Sequence, residues 1–141
     1  VTPLQIAMMT ASVANNGTLY TPHVVQKLID PLTKESTPIE TQAIRSDFIN
    51  PVHLSTVRAG MRDCVTYGSC LRLSLLPFPA AGKTGTAQWN SNREPHAWFT
   101  SFAPYEQPEI VLTILVEEGE GGSKIGAPIA YEFYEWWGRY K

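Results

Sequence analysis

Neither sign of charge dominates this chain of 141 residues: 11 lysines and arginines stand against 13 aspartates and glutamates, a formal net charge of −2. A nucleic-acid binder needs a basic surplus or stripe to meet phosphate, so no nucleic acid is expected as a partner. Long apolar runs are lacking as well. The longest aliphatic stretch, Ile110 to Val116, falls far short of the roughly 20 residues that cross a bilayer. Cysteine is scarce: Cys64 and Cys70 are the only two, and their spacing makes no zinc site, which needs more ligands in closer pairs. The pair reads more readily as two ordinary thiols than as a bridge, and the spacing does not decide between them. His23, His53 and His96 lie far apart in the chain, so neither a metal nor a cofactor is expected. Val1-Thr2-Pro3-Leu4 carries no basic leader and no initiating Met, so the expectation is a segment from the interior of a longer protein.

What is present is apolar and aromatic. Hydrophobic residues make up 43% of the chain, with Trp 4, Tyr 6 and Phe 5, which favours collapse over disorder. A chain of this size suits one domain and buries roughly 68–70% of its unfolded surface.

Thr2, Pro3 and Gln5 form a capping box with proline at the first helical position, and Asn15-Asn16-Gly17 supplies a stop. The expected apolar face of that helix is Leu4, Met8 and Ala11 with Ile6, Met9 and Val13 beside it. Val24-Val25 and Leu28-Ile29 suggest a short strand that Asp30-Pro31 breaks. Asn50-Pro51 opens a second helix running to about Thr66, with Leu54, Val57, Met61 and Val65 at helical spacing. Three strands follow, Thr84 to Trp89, Ala97 to Ala103 and Ile110 to Glu117, joined by turn-like segments and therefore expected antiparallel. A last helix from about Pro128 is expected to set Ile129, Phe133, Trp136 and Trp137 against the sheet. The fold class is α+β, an antiparallel sheet covered by helices.

Chemistry concentrates in Ala80-Ala81-Gly82-Lys83-Thr84-Gly85-Thr86-Ala87-Gln88. A phosphate-binding loop is excluded: position 77 is Pro where that motif needs glycine, and a strand follows the lysine rather than a helix. On a strand, Thr84 and Thr86 turn their hydroxyls to one face, Lys83 sets a cation beside them, and Gly85 leaves the backbone bare. Hydroxyls, an ammonium and unpaired main-chain groups suit a peptide-like ligand ending in a carboxylate. The other residues carry plainer expectations: His96 a structural role, Glu117, Glu118 and Glu120 a solvated loop, Trp136-Trp137 helix packing.

Lys83-Thr84-Gly85-Thr86 resembles the third signature motif of the penicillin-binding protein and serine β-lactamase superfamily. The order of Thr2-Pro3-Leu4-Gln5, Asn16-Gly17, His96-Ala97-Trp98-Phe99, Phe102-Ala103-Pro104, Gly121-Gly122-Ser123 and Ala127-Pro128 extends the likeness over nearly the whole chain. It is most similar to class B transpeptidases, within them to the elongation-specific penicillin-binding protein 2 branch. The resemblance implies a partial penicillin-binding transpeptidase fold and the chemistry of a peptidoglycan D,D-transpeptidase. A serine attacks a D-Ala-D-Ala stem peptide and passes the acyl group to a neighbouring amine, and β-lactams acylate the same serine. Lys83 and Thr86 are then catalytic, the latter through its backbone N–H in the oxyanion hole. Lys83, Thr84, Gly85 and Thr86 bind substrate, and Thr84 and Thr86 take its carboxylate. Implied too are a rod-shape glycan polymerase as partner and a place on the extracytoplasmic face of the bacterial inner membrane, with an N-terminal anchor.

The family's other two motifs, Ser-x-x-Lys and Ser-x-Asn, occur nowhere in this sequence. Both lie upstream in the family, so residues 1–141 are expected to be the C-terminal portion of the domain, and inactive alone, since an activated nucleophile needs its base alongside. A non-catalytic penicillin-binding-like sensor or partner-binding module is the alternative, and β-lactam hydrolysis a third.

Overall fold

Thr2 opens the first helix, α1 (Pro3–Ala14), as its capping box requires. The Thr2 hydroxyl accepts the Gln5 backbone N–H at 3.3 Å, and the Gln5 side chain accepts that of Thr2 at 2.8 Å. The stop is also where the sequence puts it. Asn15 bonds both backbone groups of Thr18, and Asn16 and Gly17 take φ of 65° and 105°, the left-handed region that suits asparagine and glycine. The computed structural model describes residues 1–141 throughout.

Four short strands follow, β1 (Leu19–Tyr20), β2 (Lys27–Ile29), β3 (Ser36–Pro38) and β4 (Ala43–Arg45), in two antiparallel pairs, β1 with β4 and β2 with β3. Of the expected strand around Val24 to Ile29 only its second half forms, and Asp30 ends it by accepting the N–H groups of Leu32 and Thr33. Those bonds to the carboxylate hold its pKa below the ordinary value. Asn50 then caps α2 (Pro51–Thr66), accepting the Val52 N–H at 2.9 Å, and Leu54, Met61 and Val65 are its buried residues.

Cys64 and Cys70 are joined in a disulfide, with Cα atoms 5.0 Å apart, which corrects the expectation of two thiols. The correction is a matter of local geometry. The chain turns back after α2, the Cys70 N–H donates to the Cys64 carbonyl at 2.8 Å, and the two β-carbons are brought face to face. A short 3₁₀ turn (Leu71–Leu75) leads on to the sheet.

The sheet has the order β5 (Ala81–Ala87), β6 (His96–Ala103), β7 (Ile110–Val116), fully antiparallel. β5 begins three residues earlier than expected because Ala81 and Gly82 pair with Phe102 and Ser101. It ends at Ala87, and Trp89 turns out of the sheet to stack on His96. Alternation along β6 sorts the core into two layers. Phe99, Ser101 and Ala103 lie under the last helix, α3 (Ala127–Tyr140), and Thr100 and Phe102 lie under α1 and α2. The α2 helix spans the end of the sheet, with Met61 beside Ala14, Ala81 and Phe102, and Val65 beside Phe99 and Tyr134 in the opposite layer.

Two helix faces differ from expectation. Thr10, Ser12 and Ala14 are buried in α1, and Leu4 and Met9 are 56% and 53% exposed. Polar residues fit there because the Thr10 hydroxyl meets Thr100 at 2.8 Å and Thr100 meets Thr113 at 2.9 Å, so no hydroxyl is left unpaired. In α3 the buried residues are Ala127, Ala130 and Tyr134, with Phe133 and Trp137 partly buried and Ile129 and Trp136 exposed. Small residues at 126, 127 and 130 let this helix approach Phe99 closely, which leaves Ile129 and Trp136 facing outward. Tyr134 reaches Ser101 Oγ at 3.0 Å, and its burial pushes the phenol pKa up.

Candidate functional site

β5 is an edge strand. It pairs with β6 on one side only, so alternate residues along it present both backbone groups to the open side. Lys83-Thr84-Gly85-Thr86 occupies the middle of that edge.

The register fixes where each side chain goes. Thr84 and Thr86 pair with Phe99 and Ala97 and so share the α3 face, as two residues two apart must. Lys83 and Gly85 pair with Thr100 and Trp98 and belong to the α1 face. The cation and the hydroxyls are therefore on opposite faces, not side by side as the sequence suggested, and they meet only at the open edge. Lys83 Nζ reaches round that edge to donate to the Thr84 carbonyl at 2.5 Å. An open cleft of about 320 Å³ runs along Lys83 to Ala87, walled by Val1, Ile6 and Trp98.

Thr86 is exposed and Thr84 half-buried. The Thr84 hydroxyl is 2.8 Å from that of Ser69, in the loop closed by Cys64 and Cys70. No sequence pattern pointed to Ser69, because the contact joins residues fifteen apart through a turn that the disulfide shapes. Behind the strand, a π-helical turn (Gly122–Gly126) sits on the backbone of Gly85 and Trp98. Gly85 has no side chain, and a Cβ at 122 would fall 2.1 Å from the Trp98 carbonyl oxygen, so only a residue without Cβ fits there.

His96, Glu118 and Glu120 have structural partners. His96 Nδ1 accepts the Glu118 N–H at 3.1 Å, and its ring stacks on Trp89 with centroids 5.2 Å apart. Glu118 pairs with Arg93 and Glu120 with Lys124, all on exposed surface. No group of three His, Cys, Asp or Glu side chains comes together in a way that could hold a metal ion.

Residues 1–135 match the model of the penicillin-binding protein transpeptidase domain. The chain belongs to that family. It is 32% identical to the peptidoglycan D,D-transpeptidase MrdA of Haemophilus influenzae over 96% of its own length and 23% of that protein's. Penicillin-binding protein A of M. tuberculosis, solved as an imipenem acyl-enzyme complex, superposes with a TM-score of 0.82 at 28% identity, over 96% of this chain and 30% of that one. The penicillin-binding protein 2 solved in complex with MreC from Helicobacter pylori is 33% identical with a TM-score of 0.71, over 96% of this chain and 25% of that one. These likenesses place the chain with class B, penicillin-binding protein 2-type members. It spans about a quarter of the length of the first relatives it matches.

Proposed function

We propose that residues 1–141 are the C-terminal portion of a peptidoglycan D,D-transpeptidase domain and supply the substrate-binding strand of its active site. The single observation that carries this is the placement of Lys83 to Thr86 on the open edge of β5, above a cleft, in a chain of this family.

A strand edge recognises a peptide by main-chain hydrogen bonding, and here the substrate is a stem peptide ending in D-Ala-D-Ala. Thr84 and Thr86 bind its terminal carboxylate through their hydroxyls, with Lys83 supplying positive potential and access to protons across the edge. The nucleophilic serine and its lysine belong to the rest of the domain. When that serine adds to the penultimate carbonyl, negative charge develops on the oxygen, and the Thr86 N–H is one of two donors that hold it. A donor of this kind is worth about 3 kcal/mol in the transition state. D-Alanine leaves, the acyl-serine forms, and an amine of a neighbouring strand takes the acyl group. β-Lactams carry a carboxylate beside a reactive carbonyl and acylate the same serine.

The Cys64–Cys70 bridge supports an oxidising compartment, in agreement with work on the extracytoplasmic face of the membrane. No helix here is long and apolar enough to cross a membrane, so an anchor would lie elsewhere in the protein. The Helicobacter pylori penicillin-binding protein 2 solved in complex with MreC supports a protein partner for the whole protein, and a rod-shape glycan polymerase is a further partner in this proposal.

The test is release of D-alanine from a pentapeptide stem by the full-length protein in the presence of an acceptor amine. Release is expected, with loss of about tenfold or more in Lys83→Ala. Folded full-length protein that binds the stem without releasing D-alanine would instead be a non-catalytic module.

A further inference from the structure

The hydroxyl of Ser69 stands 2.8 Å from Thr84 Oγ1 and 3.4 Å from Cys64 Sγ. It reaches the substrate strand from a loop that is fixed in three ways. The disulfide closes it, the Cys70 N–H donates to the Cys64 carbonyl at 2.8 Å, and the Tyr67 and Gly68 N–H groups both donate to the Asp63 carbonyl. Cys70, the next residue, is fully buried, so the main chain carrying Ser69 is anchored although its hydroxyl faces the site.

We propose that Ser69 is a positioning residue for Thr84, holding the threonine hydroxyl so that its proton is presented to the carboxylate of substrate or β-lactam. The proposal rests on the transpeptidase reading above. A hydroxyl offers one proton and accepts two bonds, whereas an ionised carboxylate accepts only. Thr84 must therefore spend its proton on the ligand and take a bond from elsewhere to stay oriented. Ser69 supplies that bond, because its other neighbour, a disulfide sulfur, is a weak acceptor that does not compete well for the serine proton. The two bonds run in one direction, Ser69 to Thr84 to carboxylate, and each polarises the next. Without Ser69, rotation about the Thr84 side-chain bond is no longer restrained on that side, and the carboxylate meets a hydroxyl whose proton points several ways.

The experiment measures the second-order rate of acylation of the full-length protein by a fluorescent penicillin, with thermal midpoints recorded alongside. Acylation of the natural protein comes first, and its absence would sink the transpeptidase reading rather than the role of Ser69. Given acylation, Ser69→Ala is expected to slow it about tenfold, the loss of one bond feeding a charged acceptor, and Ser69→Thr to restore it to within about twofold. Ser69→Gly, a second variant lacking the hydroxyl, is expected to match Ser69→Ala. In a Thr84→Val background, Ser69→Ala is expected to have no further effect. Ser69→Ala and Ser69→Gly proteins that are acylated at the natural rate overturn the proposal. So does a further about tenfold loss in the Thr84→Val background, since the serine would then act on something other than Thr84.

Discussion

Gly122 lies directly on the main chain of Gly85. A Cβ at position 122 would come within 2.1 Å of the Trp98 carbonyl oxygen and 3.0 Å of both the nitrogen and the oxygen of Gly85. The turn leading into α3 thus supports β5 through bare backbone, and its distance sets where Lys83 to Thr86 sit. Gly122→Ala is expected to push the strand outward, costing about 1–3 kcal/mol or more of stability and slowing β-lactam acylation about tenfold. Gly121→Ala is the control for stability. Its Cβ would meet only Thr86 Oγ1, at 3.6 Å, so the thermal midpoint should stay near that of the natural protein.

Arg58 ties three elements together. Its guanidinium donates to the carbonyls of Val13 and Ala14 at the end of α1 and to that of Tyr105 at 2.7 Å, and it lies over the Phe102 ring at 5.1 Å. Helix C-termini leave carbonyls without partners, and a fork-shaped cation satisfies several at once. Arg58→Ala is expected to cost about 2–3 kcal/mol, read as a drop in thermal midpoint of the full-length protein. Arg58→Lys should recover only a minor part, because one ammonium cannot span both the Ala14 and Tyr105 carbonyls.

What was legible in the sequence was local. The Thr2–Gln5 box, the Asn50 cap and the Asn16-Gly17 stop each join residues a few positions apart, so composition at fixed offsets is enough to find them. The three strands and the Lys-Thr-Gly-Thr edge were legible for the same reason, since alternation and turn residues are written along the chain. What the sequence concealed depends on how elements meet. The face of α3 that buries Ala130 rather than Ile129 follows from a close approach to Phe99, which no helical periodicity reports. The opposition of Lys83 to Thr84 across the strand was available from alternation, but proximity in sequence suggested a single cluster. The Ser69–Thr84 contact needed the loop that Cys64 and Cys70 close.

Tyr134 makes stability fall at high pH. Its phenol is wholly buried against Ser101 and its pKa is raised by that burial, so the folded chain holds the proton more tightly than the unfolded chain does. The contribution is fully present below about pH 10, the unfolded value, and is lost progressively as pH rises beyond it. Tyr134→Phe should therefore flatten the alkaline limb of a stability-against-pH curve. At neutral pH it should cost about 1 kcal/mol, because Ser101 loses its partner. An alkaline limb of unchanged slope in Tyr134→Phe would contradict this.

The two cysteines should be unreactive until reduced. Alkylation of the denatured, unreduced protein is expected to modify neither Cys64 nor Cys70, and both should be modified after reduction, read by mass spectrometry of the peptide spanning them. Closing a loop this short contributes about 2 kcal/mol on the chain-entropy account, so the reduced protein should unfold at lower temperature.

Covalent capture by a β-lactam tests the central claim most directly. Full-length protein incubated with a penicillin and followed by intact mass is expected to gain one acyl adduct that persists for many minutes, and Lys83→Ala should slow its formation about tenfold or more. A full-length protein shown to be folded that gains no adduct would contradict the account.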